Sequence, residues 1–241
     1  MKPVLVFIHV SCTSPGYIET LLQSQELPFE LVCFSDDSIP EVDPRSASAL
    51  VIMGGPGNVS EPTAWMHREL EVMREADQQG VPILGICLGA QLLCQTVGGS
   101  VRPGKGLEVG WHQVEVLDDA RRYPGLQQVA SSFEVFQWHA HVCDPPPAAQ
   151  VLATSSCTPC QAFAIGPHLA MQFHPEMTAQ TIRELIERYP EDLEQASPCV
   201  QNAQQILDDI HGKTRRAFEI ADQLLIPWFE REVKQSNNSV G

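Results

Sequence analysis

The chain has 241 residues, 43% of them hydrophobic and 19% charged, ordinary globular usage that excludes a fibrous repeat or wholesale disorder and gives room for one sizeable core. Thirty acidic against fifteen basic side chains leave a formal charge of -15, which repels phosphate backbones and anionic lipid and argues against nucleic acid or a membrane surface as partner. Nowhere do eighteen apolar residues run together, so no transmembrane helix is expected.

Met1-Lys2-Pro3 and the apolar run Val4 to Val10 could open a signal sequence, but the run is short and no small-residue cleavage site follows Ser11; a buried first strand is the better reading. Leu31 to Phe34, Ala49 to Met53 and Val81 to Ile86 are further apolar strands separated by helical stretches. Such alternation implies βαβ units and a parallel sheet covered on both faces. The expected fold class is α/β, a three-layer α/β/α sandwich on a mostly parallel central sheet. After the third strand Met66, Leu70 and Met73 repeat at helical spacing while Arg68, Glu69 and Glu71 take the other side, and Gly80 closes the helix. The next helix opens directly after Cys87 and runs to about Val97, before Gly98-Gly99.

From Ser100 to Phe173 the pattern changes to strands and turns, with β candidates at Leu107 to Leu117, Phe133 to Trp138, Val151 to Ser155, Gln161 to Ile165 and Leu169 to Phe173. A helix follows over Ala179 to Arg188, then two more polar helical patterns over Pro198 to His211 and Thr214 to Glu232. The expected organisation is a catalytic domain over residues 1–190, a C-terminal helical extension over 191–235 packed on or beside it, and a disordered tail over 236–241.

Eight cysteines lack the density and spacing of a disulfide scaffold, and Cys33, Cys87 and Cys94 lie in apolar segments. A reducing, cytoplasmic setting fits that usage. Cys157-Thr158-Pro159-Cys160 has zinc-ligand spacing, but no second such pair or spaced histidine pair exists, so the segment reads as a loop with two thiols and no metal is expected.

Three segments carry chemistry. Gly85-Ile86-Cys87-Leu88-Gly89 places a cysteine between glycines where an apolar strand meets a helix, a nucleophile elbow with sulfur in place of oxygen. A thiol there sits beside unpaired N–H groups and the positive end of the helix dipole, which favours thiolate, and the Leu88 N–H points where an oxyanion would form. Met171-Gln172-Phe173-His174-Pro175-Glu176 delivers a histidine at the C-terminal edge of a strand, with Glu176 two residues on to orient the ring. His139 and His141 are the rival bases, but no carboxylate follows them except Asp144. Met53-Gly54-Gly55-Pro56-Gly57-Asn58 is a glycine-rich turn at a strand end whose backbone can approach a ligand, with the Gly55 N–H as second oxyanion donor. It lacks both phosphate-loop patterns.

Together, Gly54-Gly55-Pro56-Gly57, Gly85-x-Cys87-x-Gly89-x-Gln91 and His174-Pro175-Glu176 closely resemble the class I, triad-type glutamine amidotransferases, over about Lys2 to Arg188. Within that family the chain looks most like standalone members similar to the glutaminase domain of GMP synthase. The resemblance implies a flavodoxin-like sandwich, and it implies hydrolysis of the glutamine side-chain amide through a γ-glutamyl thioester. It further implies Cys87 as nucleophile, His174 as general acid/base, Glu176 as orienter, and Gly55 and Leu88 as the oxyanion hole. Gly54, Gln91 and the backbone of Phe136-Gln137-Trp138 would hold the substrate, with no cofactor and with a separate synthetase subunit as a candidate partner. His139-Ala140-His141 departs from the family's His-Gly-Asp, which bears on how the substrate ammonium is held. A γ-glutamyl peptide hydrolase with the same triad is the alternative enzyme, and an idle interaction module is the non-enzymatic one.

Overall fold

Burial along the first strand sets the architecture. In β1 (Val4–Ile8), Val4, Val6 and Ile8 join one hydrophobic cluster and Leu5 and Phe7 another, because successive strand residues point to opposite faces. A strand apolar on both sides needs cover on both. The computed structural model describes residues 1–9 and 14–234. Val10 at the end of the opening run, Ser11 after it, and the tail expected over 236–241 lie outside the described residues.

Among the described residues one nine-stranded sheet is built from β1, β2 (Phe29–Cys33), β3 (Ala49–Ile52), β4 (Ile83–Ile86), β5 (Ser100–Val116), β6 (Ser132–Asp144), β7 (Gln150–Thr154), β8 (Ala162–Ile165) and β9 (His168–Met171), in the order β2-β1-β3-β4-β9-β8-β7-β5-β6. Neighbours from β2 to β9 are parallel, and every pairing beyond β9 is antiparallel. The mostly parallel sheet expected from the first hundred residues is thus corrected to a mixed one. No α-helix lies between β5 and β9 to carry the chain back over the sheet, and parallel neighbours need such a crossover.

Helix α1 (Tyr17–Ser24), α4 (Ala179–Arg188) and α6 (Ile210–Trp228) bury side chains in the cluster of Val4 and Val6, whereas α2 (Ala64–Gln78) and α3 (Leu88–Thr96) bury theirs in the cluster of Leu5 and Phe7. Met66, Leu70 and Met73 of α2 are buried as their spacing predicts. Glu69, expected on the outer side, is fully buried too. Positions 66, 69, 70 and 73 share one helix face, so Glu69 enters the interior beside them.

Two C-terminal expectations are corrected. The helix expected over Pro198 to His211 shrinks to α5 (Ala203–Leu207), because residues 199–201 run along β5 instead. There the Val109 N–H donates to the Cys199 carbonyl at 2.8 Å and the Gln201 N–H donates to the Val109 carbonyl at 3.0 Å. A disulfide between Cys157 and Cys199 fastens the segment, against the expectation of thiols alone; Cys157 is therefore not free to ligate a metal. The next helix begins at Ile210 and holds Pro227 inside it, then widens to a π-helical turn over Phe229–Lys234, as expected where proline supplies no N–H to the ladder. Leu224, Leu225 and Trp228 of α6 lie in the same cluster as β1, and Tyr17 donates to Asp222 at 2.9 Å. No helix among the described residues is long and apolar enough to cross a membrane.

Candidate active site

Cys87 stands where β4 stops and α3 starts, and its N–H donates to the Met171 carbonyl of β9 at 2.8 Å. Adjacent parallel strands thus end side by side, one delivering the sulfur and the other the segment that carries His174. Cys87 adopts φ 51° and ψ -105°, which for a residue with a Cβ costs on the order of 1–3 kcal/mol. The turn is possible because its flanks are glycine: a Cβ on Gly85 would run into the Gly89 carbonyl, and one on Gly89 into that of Ile52. The sulfur donates as thiol to the Trp138 carbonyl, or accepts from the Gln172 side-chain amide, each at 3.7 Å.

The His174 N–H donates to the Phe136 carbonyl of β6 at 2.9 Å. Glu176 then turns back so that its Oε1 lies 2.8 Å from His174 Nδ1, with both side chains buried. The Tyr17 N–H at the start of α1 donates to the Glu176 carbonyl at 2.9 Å and holds this return in place. Since a carboxylate accepts, Nδ1 carries the proton and Nε2 is left for the sulfur. Burial pulls the imidazole pKa down, but the charges of Glu176 and Cys87 and their hydrogen bonds outweigh it, and His174 is pushed up to about 10. Both partners thus favour the charged form of the ring.

Beyond β3, the Gly54–Gly57 turn forms the facing wall. A Cβ on Gly54 would come within 2.8 Å of His174 Cε1 and 3.5 Å of Cys87 Cβ, so only a glycine lets this backbone stand beside the sulfur and the imidazole. A cleft of about 400 Å³ opens over Cys87, Gly54, Gly55, His174 and Glu176 and extends past Leu107, Trp138, Met177 and Leu185. The Leu88 N–H is the first of α3, and such a group has no acceptor within its own helix.

Of the residues the sequence proposes for substrate, Gly54 and Trp138 line the cleft, while Gln91, Phe136 and Gln137 lie behind its wall. The Gln91 side chain donates to Gln172 Oε1 at 3.3 Å and to the His141 carbonyl at 3.4 Å, and that of Gln137 donates to Gln161 at 3.0 Å. Buried amides are drawn to such partners, and these side chains support the site without facing it. His139 does line the cleft, yet its Nδ1 faces the His141 carbonyl at 3.0 Å and its Nε2 lies 3.2 Å from Glu108 Oε2. With acceptors at both nitrogens it is poorly placed to take a proton from Cys87. Burial would raise the Glu108 carboxyl, but hydrogen bonds from His139, Thr158 and Ser155 hold it below the usual range.

This geometry has relatives. The sequence profile of the class-I glutamine amidotransferases matches residues 18–188. The chain belongs to that family. Among curated relatives, the glutamine-hydrolysing GMP synthase of Thermomicrobium roseum is 33% identical over 162 residues, covering 66% of this chain and 29% of that protein. The chain thus spans under a third of the GMP synthases it matches. Gamma-glutamyl peptidase 3 of Arabidopsis thaliana is 29% identical over 61% of this chain and 62% of its own length. The crystal structure of a glutamine amidotransferase from Methylobacillus flagellatus superposes with a TM-score of 0.88 at 29% identity over 95% of both chains. One from Thermotoga maritima gives 0.80 at 28% identity, over 95% of this chain and 98% of that one.

Sequence reasoning passed over His9, Glu69, Glu108 and Gln172, all buried polar residues close to the family's motif segments. The sole signal was a charged or polar residue inside an apolar pattern, as with Glu69 among Met66, Leu70 and Met73.

Proposed function

We propose that this class-I glutamine amidotransferase hydrolyses the side-chain amide of glutamine through a γ-glutamyl thioester on Cys87. The observation that carries the reading is the pairing of a strained, cleft-facing Cys87 with an imidazole whose other nitrogen is held by Glu176 at 2.8 Å. In the proposed sequence the Cys87 sulfur attacks the amide carbon, and the negative charge gathers on the carbonyl oxygen facing the Gly55 and Leu88 N–H groups. His174 gives its Nε2 proton to the leaving nitrogen, and the C–N bond breaks to release ammonia. A water then loses a proton to His174 and attacks the thioester, and glutamate departs as the sulfur is freed. Sulfur, imidazole and backbone supply each step, so no cofactor enters. Ammonia would pass to a separate synthetase subunit or to solvent.

One observation favours a second reading, hydrolysis of γ-glutamyl peptides. Leu107, Trp138, Met177 and Leu185 also wall the cleft, and in this reading the leaving group, protonated by His174, lies against them. Ammonia has no use for such a surface, whereas the side chain of a γ-glutamyl-linked amino acid does. Glutamate release from glutamine and from γ-glutamyl dipeptides, with Cys87→Ala alongside, tests both readings. Turnover that persists in Cys87→Ala, or none by the unaltered protein on any γ-glutamyl compound, would sink the mechanism.

A further inference from the structure

Behind the glycine turn lies another buried imidazole that the proposed chemistry does not use. His9 follows β1, is 4% exposed, and stacks on Trp65 of α2 with ring centroids 5.0 Å apart. Its Nε2 lies 3.0 and 3.1 Å from the two oxygens of Glu69, also on α2, and its Nδ1 lies 3.2 Å from the Gly54 carbonyl oxygen. A carbonyl and a carboxylate only accept, so both ring nitrogens donate and the ring is a cation. Burial lowers the pKa of this imidazole, but the Glu69 charge and hydrogen bonds more than restore it, and His9 stands above its ordinary value. A Cβ on Gly55 would lie 2.7 Å from His9 Cβ and Nδ1, so ring and turn are in close contact.

The Gly54 carbonyl and the Gly55 N–H belong to one peptide unit, and in a planar trans peptide the two point in opposite directions. Glycine on both sides leaves that unit unusually free to rotate. A hydrogen bond that fixes the carbonyl toward His9 therefore fixes the N–H away from it, toward the cleft that Gly54 and Gly55 line. We infer that the buried His9–Glu69 pair is a positioning device for the oxyanion hole, locking the Gly54–Gly55 peptide so that the Gly55 N–H stays aimed at the oxygen of the attacked carbonyl. The inference rests on the proposed hydrolysis for its role, but the peptide lock is a claim about the fold itself. His9 touches neither substrate nor sulfur and acts through the backbone alone.

The test is the double variant His9→Phe/Glu69→Leu, which removes both charges together and so leaves no buried ion without its partner, beside Glu69→Gln, which keeps a hydrogen-bonding side chain on the ring. The crystal structure of the double variant should have the Gly54 carbonyl turned or in two orientations. With glutamine as substrate, kcat should fall about 100-fold or more, the loss typical of one oxyanion donor, while KM stays within about threefold. Alkylation of Cys87 by iodoacetamide, which forms no oxyanion, should stay within about twofold of the unaltered protein, and Glu69→Gln should recover at least about tenfold of the lost kcat. A Gly54 carbonyl in its original place with kcat unchanged overturns the inference. So does alkylation that falls in step with kcat, since that marks a general collapse of the site. Should the unaltered protein hydrolyse no γ-glutamyl compound, the functional reading falls, and the orientation of the Gly54 carbonyl in the double variant still decides the lock.

Discussion

His174 and Glu176 are two residues apart in sequence and His9 and Glu69 sixty apart, yet each pair buries an imidazole against a carboxylate, at 2.8 and 3.0 Å. Gly54 stands between them, close to the first ring through its Cα and bonded to the second through its carbonyl. The difference lies in what faces the ring's other nitrogen. His174 spends Nδ1 on Glu176 and keeps Nε2 for the sulfur, so its proton can move; His9 spends both nitrogens on fixed acceptors, so its proton has nowhere to go. On the proposed reading the same two side chains make a proton carrier in one place and a rigid strut in the other, and what faces the ring's second nitrogen decides which.

The largest losses are expected at the first pair. Cys87→Ala and His174→Ala should each lower kcat for amide hydrolysis by about 10,000-fold or more in steady-state assays, since such residues act as one unit. Glu176→Gln keeps a hydrogen bond to Nδ1 but removes the charge; a loss of about 100- to 10,000-fold is expected. A change within tenfold would reduce Glu176 to a minor role.

The same variant gives a pH test. The folded pKa of His174 is raised from 6.5 to about 10, so its contribution to stability is complete below about pH 6.5, the unfolded value. It is lost as pH rises through 10. The Tm gap between the unaltered protein and Glu176→Gln should therefore narrow steadily from pH 7 to pH 10; a gap that widens over that range would contradict the assignment. The strut has both nitrogens satisfied, so the smaller losses set out for its double variant sharpen the contrast. Smallest of all, Leu185→Arg at the proposed leaving-group subsite should lower kcat/KM for a γ-glutamyl-phenylalanine dipeptide by about tenfold relative to glutamine. Equal losses on both substrates would remove the argument for a leaving-group subsite.

How far the sequence reached follows the same division. The βαβ half, the elbow at Cys87 and the His174-Pro175-Glu176 turn were legible because each is local: a strand, a turn and a helix signal within a few residues. The antiparallel half of the sheet was legible as strands but not as pairings. The segment around Cys199 read as helix because nothing local reveals that β5 offers it hydrogen bonds. Gln91 and Gln137 fell in motif segments but face inward, toward Gln172 and Gln161. Glu69 read as a surface residue because charge usually is, and its partner sits sixty positions earlier on another element. Long-range polar pairing is what periodicity cannot carry.

The proposed hydrolysis requires Cys87 to bond covalently to the γ-carbonyl of the substrate. The direct measurement is mass spectrometry of protein acid-quenched within one turnover of adding glutamine, or a γ-glutamyl dipeptide. A γ-glutamyl group on the Cys87 peptide, absent from Cys87→Ala and cleared on longer incubation, is the predicted result. Release of glutamate in a fast first turnover with no adduct on Cys87, or an adduct on another cysteine, would contradict it.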